Sequence, residues 1–399
     1  MHESWKGARE CIRRYVEQTI AELAGTRSPG PAVCRENGPE PAPNQCCGDI
    51  LREWLRSKKR RAAKMKPGGI SINMPILECA GKHTRTAGLS HRWGVILAGG
   101  DGKRLLPLTR RITGDDRPKQ FCCVIGGETL LHQTQSRVAS IVPPHQIFVV
   151  LTKAHQPFYA DQDDLPAECL LIQPGNRGTG PAVLYSLTRV QHRDSKALVA
   201  FFPSDHYFSD EPALHAYVDS AFREAECQPE RVILLGISPD TPEADYGWIQ
   251  PGAPLRGSSI FRVERFWEKP CQSLACTLLS RGCLWNSFIM VGRAHAFVNL
   301  IQRAFPALLQ SFCAMTSGLA LADQMALNDL YSQTPTVNFS EQVLSACPTA
   351  LGVLRADGLG WSDLGDPGRV LSVLARKGIQ REWNFDPATG SNVVRTASA

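Results

Sequence analysis

Gly99, Gly100, Asp101 and Gly102 follow directly on an apolar run at residues 93–98, and Lys103 and Arg104 come next. Glycines let backbone N–H groups turn toward an anion and let it approach closely. An arginine adds a planar fork of donors, so this string is equipped to hold phosphate. Lys119 can bring a second cation to the same phosphates. The spacing is neither that of a Walker loop, which ends in Gly-Lys-Ser/Thr, nor that of a dinucleotide fingerprint. A plain glycine turn after a strand is the other reading of residues 99–102 taken alone. Asp205 stands just past Pro203 and Ser204, at the end of a second apolar run, 197–202. A carboxylate placed there suits Mg²⁺, which takes oxygen ligands and commonly draws only one or two of them from protein carboxylates. His206, next to it, reads as an orienting or packing group rather than a catalytic one.

Such groups need a scaffold that delivers several loop ends to one place. Strands expected at 94–98, 146–151, 169–172, 197–202 and 231–236 alternate with helices at 130–140, around His155, and at 181–191 and 211–225. That alternation argues for an α/β protein, a three-layer α/β/α sandwich with a mainly parallel, Rossmann-like sheet, in which ligands lie beyond the carboxyl ends of the strands. A last amphipathic helix is expected near 367–377, followed by a polar tail, 381–399.

The whole string from the strand through GGDGKRL, Pro107, Thr109 and PKQF (118–121) resembles the signature of the sugar-1-phosphate nucleotidyltransferases, and among them the mannose-1-phosphate guanylyltransferases. The resemblance extends along most of the chain. QPGNRGTGPAVLYSL (173–187) is similar to the base-recognition loop, which implies that Gln173, Asn176, Arg177, Gly178 and Thr179 face the nucleotide. The family commonly has alanine where Gly180 stands, and a glycine there reads as added flexibility; without the resemblance, the stretch is an ordinary strand-to-helix connection. Tyr246-Gly247-Trp248 resembles the sugar-facing YGYI turn, with Glu243 near it. VERFWEKP (263–270) matches the F-x-EKP segment, which implies that Glu268 accepts from sugar hydroxyls and Lys269 pairs with the sugar phosphate. Away from a strand end, a Glu-Lys pair is usually a surface ion pair. Asn286 falls at a sugar contact, although Phe288 departs from a common glycine, and Asp363 in the WSDLG turn falls at the second metal carboxylate.

The resemblance therefore implies transfer of guanylyl from GTP to α-D-mannose 1-phosphate. Arg104, Lys119 and a Mg²⁺ cofactor on Asp205 and Asp363 would neutralise charge, and Lys269 would position the nucleophile. Asp101 is out of keeping, since a carboxylate repels polyphosphate unless metal or Arg104 intervenes. The competing readings are another base or sugar, or a non-catalytic sugar-nucleotide sensor.

Composition narrows the rest. The chain has 399 residues, 43% of them hydrophobic, and a net charge of +6 that is unevenly placed. Residues 1–92 carry 17 Lys and Arg against 9 Asp and Glu, or +8, which leaves −2 for 93–399. The expected division is a basic, partly helical and largely disordered extension, 1–92, with a helix within 1–24 and a disordered Pro- and Gly-rich stretch, 25–45, then a nucleotidyltransferase catalytic domain, 93–380, and the tail. Seven of the eleven residues at 56–66 are basic, but no aromatic residue is interleaved, so a solvated face is expected rather than a nucleic-acid site. Met65 and Met74 are alternative starting points. No run of eighteen apolar residues occurs and the N-terminus lacks a signal-peptide core, so no membrane span and a cytoplasmic location are expected. None of the 14 cysteines forms a Cys-x-x-Cys pair, so they read as reduced thiols. A homo-oligomer is compatible with all of this.

Overall fold

The computed structural model describes residues 91–160, 166–316, 324–379, 384–385 and 392–393. The expectations for 1–90, the basic run 56–66 included, lie outside the described residues, as does most of the tail. The chain divides into the units Met1–His83 and Thr84–Ala399, and every described residue is in the second.

The first four strands are β1 (Arg92–Leu97), β2 (Ile147–Thr152), β3 (Leu170–Gln173) and β4 (Leu198–Pro203). They lie in the order β3-β2-β1-β4, all parallel. β1, β2 and β4 are almost wholly buried, as strands covered on both faces must be. Their side chains alternate between two cores: Trp93 and Val95 enter one, Ile96 and Ala98 the other. The first core also takes residues from α3 (Thr179–Arg193), the second residues from α2 (Leu130–Ala139) and α4 (Glu211–Cys227). A short helix, α1 (Leu106–Thr113), follows the glycine loop. Thr129 caps α2 and Asp210 caps α4 through their side-chain oxygens.

Beyond β4 the sheet changes character. β5 (Val232–Ile237), β6 (Gly247–Pro254), β7 (Ile260–Glu268), β8 (Leu284–Arg293) and β9 (Leu351–Ala356) complete a nine-stranded sheet in the order β3-β2-β1-β4-β8-β5-β9-β7-β6, and β6 also pairs with β8. Among these five strands only β5 and β9 run parallel. The ladders β8-β5-β9-β7-β6-β8 form a closed ring of pairings. The sheet is thus mixed, and the expectation of a mainly parallel, Rossmann-like sheet holds only for its first half. The reason is local: the link between β6 and β7 is far too short for the crossover that parallel strands need.

Four of the remaining helices are α5 (Gln272–Ser280), α6 (Ala294–Ala304), α7 (Pro306–Thr316) and α8 (Gln324–Gln333). A π-helical turn at Ser340–Leu344 precedes β9, and α9 (Pro367–Arg376) closes the unit, capped by the Asp366 side chain with Pro367 in its first turn. β10 (Asn384–Phe385) and β11 (Asn392–Val393) pair antiparallel. No described helix is long and apolar enough to cross a membrane.

Candidate functional site

The glycine loop leaves β1 and is braced from beneath. Gln120 Nε2 donates to the carbonyls of Ala98 and Gly100 at 3.0 and 2.8 Å, which fixes the loop from a helical turn, Lys119–Phe121, that sequence reasoning passed over. Gly102 has φ +59°, and a Cβ there would come within 3.2 Å of the Lys119 amide nitrogen, so both its conformation and its neighbour call for glycine. Gly99 is backed by Gln173 and Thr152, while Gly100 faces open space. Asp101 pairs with His155 Nε2 at 3.4 Å and lies 3.9 Å from Lys103 Nζ. Arg104 is not its partner. Burial holds His155 below its ordinary pKa against the pull of Asp101, and its Nδ1 bonds Thr152.

Arg104 reaches instead across the loop, donating from Nη1 to Asp245 Oδ2 at 2.8 Å, with both side chains about half exposed (54% and 50%). Lys119 is only 8% exposed. Its ammonium donates to the carbonyls of Asp363 (2.6 Å) and Leu364 (3.2 Å) and lies 3.3 Å from Asp205 Oδ2, which occupies its three donors. Lys119 therefore acts on the site through the two aspartates rather than as an open phosphate ligand.

Asp205 and Asp363 come together because Tyr207 and Ser362 exchange backbone hydrogen bonds in an isolated antiparallel bridge. His206 is held by Trp361, whose indole N–H donates to His206 Nδ1 at 3.2 Å, and burial pushes the imidazole down to about 4. It is neutral at pH 7. Burial by itself would raise the Asp363 pKa, but nearby positive charge holds it below the usual value. His206, which is charged at the low pH where Asp363 titrates, supplies that charge together with Lys119 and Arg369. Arg369, on α9, is a hub absent from the sequence analysis. Nη1 binds both Asp363 oxygens at 3.0 and 3.1 Å, Nη2 binds Glu243 at 2.8 Å, and Nε binds Asp366 at 3.0 Å. Burial alone would lower the Arg369 pKa, but its carboxylate partners outweigh that and raise it. Among the described residues no three His, Cys, Asp or Glu side chains gather in a metal cluster. Asp205 and Asp363 nevertheless fit a hard cation that takes its other ligands from phosphate, since the Lys119 ammonium that lies 3.3 Å from Asp205 Oδ2 also holds the Asp363 backbone carbonyl and so keeps the two residues in one place.

Tyr246 does not present its side chain to a sugar. It is 7% exposed, its hydroxyl donates to Asp363 Oδ1 at 3.0 Å, its ring packs on Trp285 and Trp361, and the Arg369 guanidinium lies over one face at 4.4 Å. Burial first, then Asp363, pushes its pKa up. Of the residues expected on the sugar side, Gly247, Glu268 and Asn286 converge. A Cβ on Gly247 would stand 3.0 Å from Glu268 Oε2 and 3.2 Å from Asn286 Cβ. Burial raises the Glu268 pKa, offset in part by Lys269 and by a hydrogen bond from Asn338. Lys269 has φ +48°, and its half-exposed ammonium lies 3.9 Å from Glu268 Oε1. Asn286 is set by a bulge in β8, where Ser287, Phe288 and Ile289 oppose Leu235 alone, and Phe288 adopts φ +60°.

The loop after β3 is locked from outside. Arg177 donates from Nε and Nη2 to the carbonyls of Tyr331 and Ser332, so its guanidinium faces α8 rather than standing free for a base. Asn176 accepts from the Gly178 amide, Thr179 Oγ1 accepts from the Phe339 amide, and Gln173, 2% exposed, accepts from the Tyr331 hydroxyl. A Cβ on Gly178 would meet Val337 O at 2.5 Å and one on Gly180 would meet Val337 Cγ1 at 2.6 Å. Gly180 is thus a packing requirement rather than a source of flexibility. Tyr331, Val337, Asn338 and Phe339 carried no sequence signal, because each acts from more than 150 residues away, except Asn338 on Glu268.

The chain is 31% identical over 291 residues to the xanthan biosynthesis protein XanB of Xanthomonas campestris pv. campestris (strain B100), covering 71% of this chain and 60% of that protein. It is 30% identical over 309 residues to a mannose-1-phosphate guanylyltransferase of Escherichia coli (strain K12), covering 72% and 60%. It thus spans about 60% of the length of these curated relatives. A crystal structure described as mannose-1-phosphate geranyltransferase from Thermus thermophilus superposes with a TM-score of 0.61 at 27% identity, over 69% of this chain and 76% of that one. The sequence profile for nucleotidyl transferases matches residues 93–376, which hold all of the nine-stranded sheet but its first residue and every candidate-site contact described above, and so the chain belongs to the nucleotidyl transferase family.

Proposed function

We propose that this protein transfers the guanylyl group of GTP to α-D-mannose 1-phosphate, forming GDP-mannose and releasing pyrophosphate. The observation that carries the reading is the meeting of Glu268 and Asn286 at Gly247 beside the exposed ammonium of Lys269. Groups that bind hydroxyls stand next to a cation suited to phosphate, as a sugar phosphate requires. The relatives named mannose-1-phosphate guanylyltransferase support the choice of sugar and base.

An oxygen of the sugar phosphate attacks the α-phosphorus of GTP in line, and the new P–O bond forms as the bond to pyrophosphate breaks. The nucleophile is already ionised, so no general base and no covalent intermediate are required. Lys269 holds the sugar phosphate, Glu268 and Asn286 orient the ring, and Arg104 neutralises charge that grows on the leaving group. Lys119 keeps Asp205 and the Asp363 turn in place. Asp205 and Asp363 would hold Mg²⁺, which when bound supplies charge to the phosphate oxygens.

Pyrophosphate release, measured for a panel of nucleoside triphosphates against several sugar 1-phosphates, tests the reading, and GTP with mannose 1-phosphate is expected to be fastest. A faster pair would reassign base or sugar, and release with no pair would identify a sugar-nucleotide sensor. Arg104→Ala is expected to lower kcat by roughly 10²–10³ and to change KM less, the scale of losing one preorganised donor.

A further inference from the structure

Asp245 Oδ2 lies between two arginines, 2.8 Å from Arg104 Nη1 and 3.7 Å from Arg369 Nη2. Arg104 spends an Nη1 donor on that carboxylate, so a phosphate that takes the whole guanidinium fork competes with Asp245 for it. The nearest cation able to receive that carboxylate is Arg369, which already binds Asp363 and Glu243. Asp245 is also the residue before Tyr246 and Gly247, the first fastened to Asp363 and the second set against Glu268 and Asn286. We propose that Asp245 is a positioning residue that holds Arg104 in the free enzyme and passes to Arg369 when a polyphosphate arrives, so that filling the phosphate loop draws the turn at 245–247 into its sugar-binding position.

This inference rests on the proposed transferase reading for the sugar site but not for the base. Any polyphosphate competes with Asp245 for Arg104. Both partners are about half exposed, so the contact is of the weak surface kind, and releasing it shifts affinity by a small factor. Its effect lies in coupling, which is reciprocal between the two ligands.

The test measures Kd for pyrophosphate and for GTP by calorimetry, in wild type, Asp245→Asn, Arg104→Ala and the double variant, and Kd for mannose 1-phosphate with and without bound pyrophosphate. Asp245→Asn is expected to bind pyrophosphate and GTP about two- to fivefold more tightly. It should also lose the gain in mannose 1-phosphate affinity that bound pyrophosphate gives the wild type. In the Arg104→Ala background the same change should have no effect on polyphosphate binding, because the contact it removes is already gone. Tighter binding that persists without Arg104 would show only the loss of a repelling charge and would overturn the handover. Unchanged or weaker binding in Asp245→Asn, with normal pyrophosphate release from GTP, overturns the handover and leaves the transferase reading intact. The reverse pattern, with tighter pyrophosphate binding and coupling as expected but no turnover with any substrate pair, supports the handover and removes the transferase reading.

Discussion

In its proposed role Glu268 accepts hydrogen bonds from sugar hydroxyls most strongly as a carboxylate, yet burial holds its pKa above the ordinary value. A raised pKa means that the group takes up its proton at a higher pH as the solution is acidified. The acid limb of kcat/KM for the sugar phosphate is therefore expected above the ~4.3 of a free glutamate, and Glu268→Gln should flatten that limb. A limb unchanged in Glu268→Gln would remove Glu268 from the sugar site. Phe288 illustrates a different local conflict, a bulky residue in the left-handed region where the family commonly has glycine. Comparing Phe288→Gly with Phe288→Ala leaves out the lost ring, and the glycine variant is expected to be more stable by about 1 kcal/mol, the reverse of the usual order in a strand. Equal denaturation midpoints would mean that the bulge relaxes. At this scale the sequence is informative where a residue's chemistry depends on its chain neighbours, as with Arg104, Asp205 and the Glu268-Lys269 pair. It is silent where the chemistry depends on a distant partner: nothing near Asp245 or Arg369 in the chain marks them.

Strands β1 to β5 and helices α2 to α4 lie close to where periodicity puts them, because apolar runs and Pro or Asp caps are local signals. The mixed half of the sheet was not legible in the same way, since strand direction follows from connections rather than from the strands. The turn between β3 and α3 depends on a segment near 337 that has no periodic pattern. Gly180→Ala, toward the commoner family residue, should destabilise the protein by about 1–3 kcal/mol, because its Cβ would press on Val337. Val337→Ala in the same chain should restore part of the loss. A Gly180→Ala variant with unchanged Tm would show that the turn has room to shift.

For the whole molecule, the unit Thr84–Ala399 contains every group assigned to the site. A fragment starting at residue 84 is expected to keep the pyrophosphate-releasing kcat of the full chain, and a large fall would place a needed group in the first unit. Chelating divalent cations should abolish turnover and Mg²⁺ should restore it, whereas full activity in the presence of chelator would remove Asp205 and Asp363 from their assigned role. Within this unit, Val337 braces the turn after β3 while the next residue, Asn338, bonds Glu268. Consecutive Cα atoms lie about 3.8 Å apart, so one peptide unit acts as a caliper between these two contacts, which in the proposed reading grip the base side and the sugar side of the ligand. Lengthening the chain by a single residue at that point would move one grip relative to the other and alter which ligands fit, even with every contacting side chain left in place.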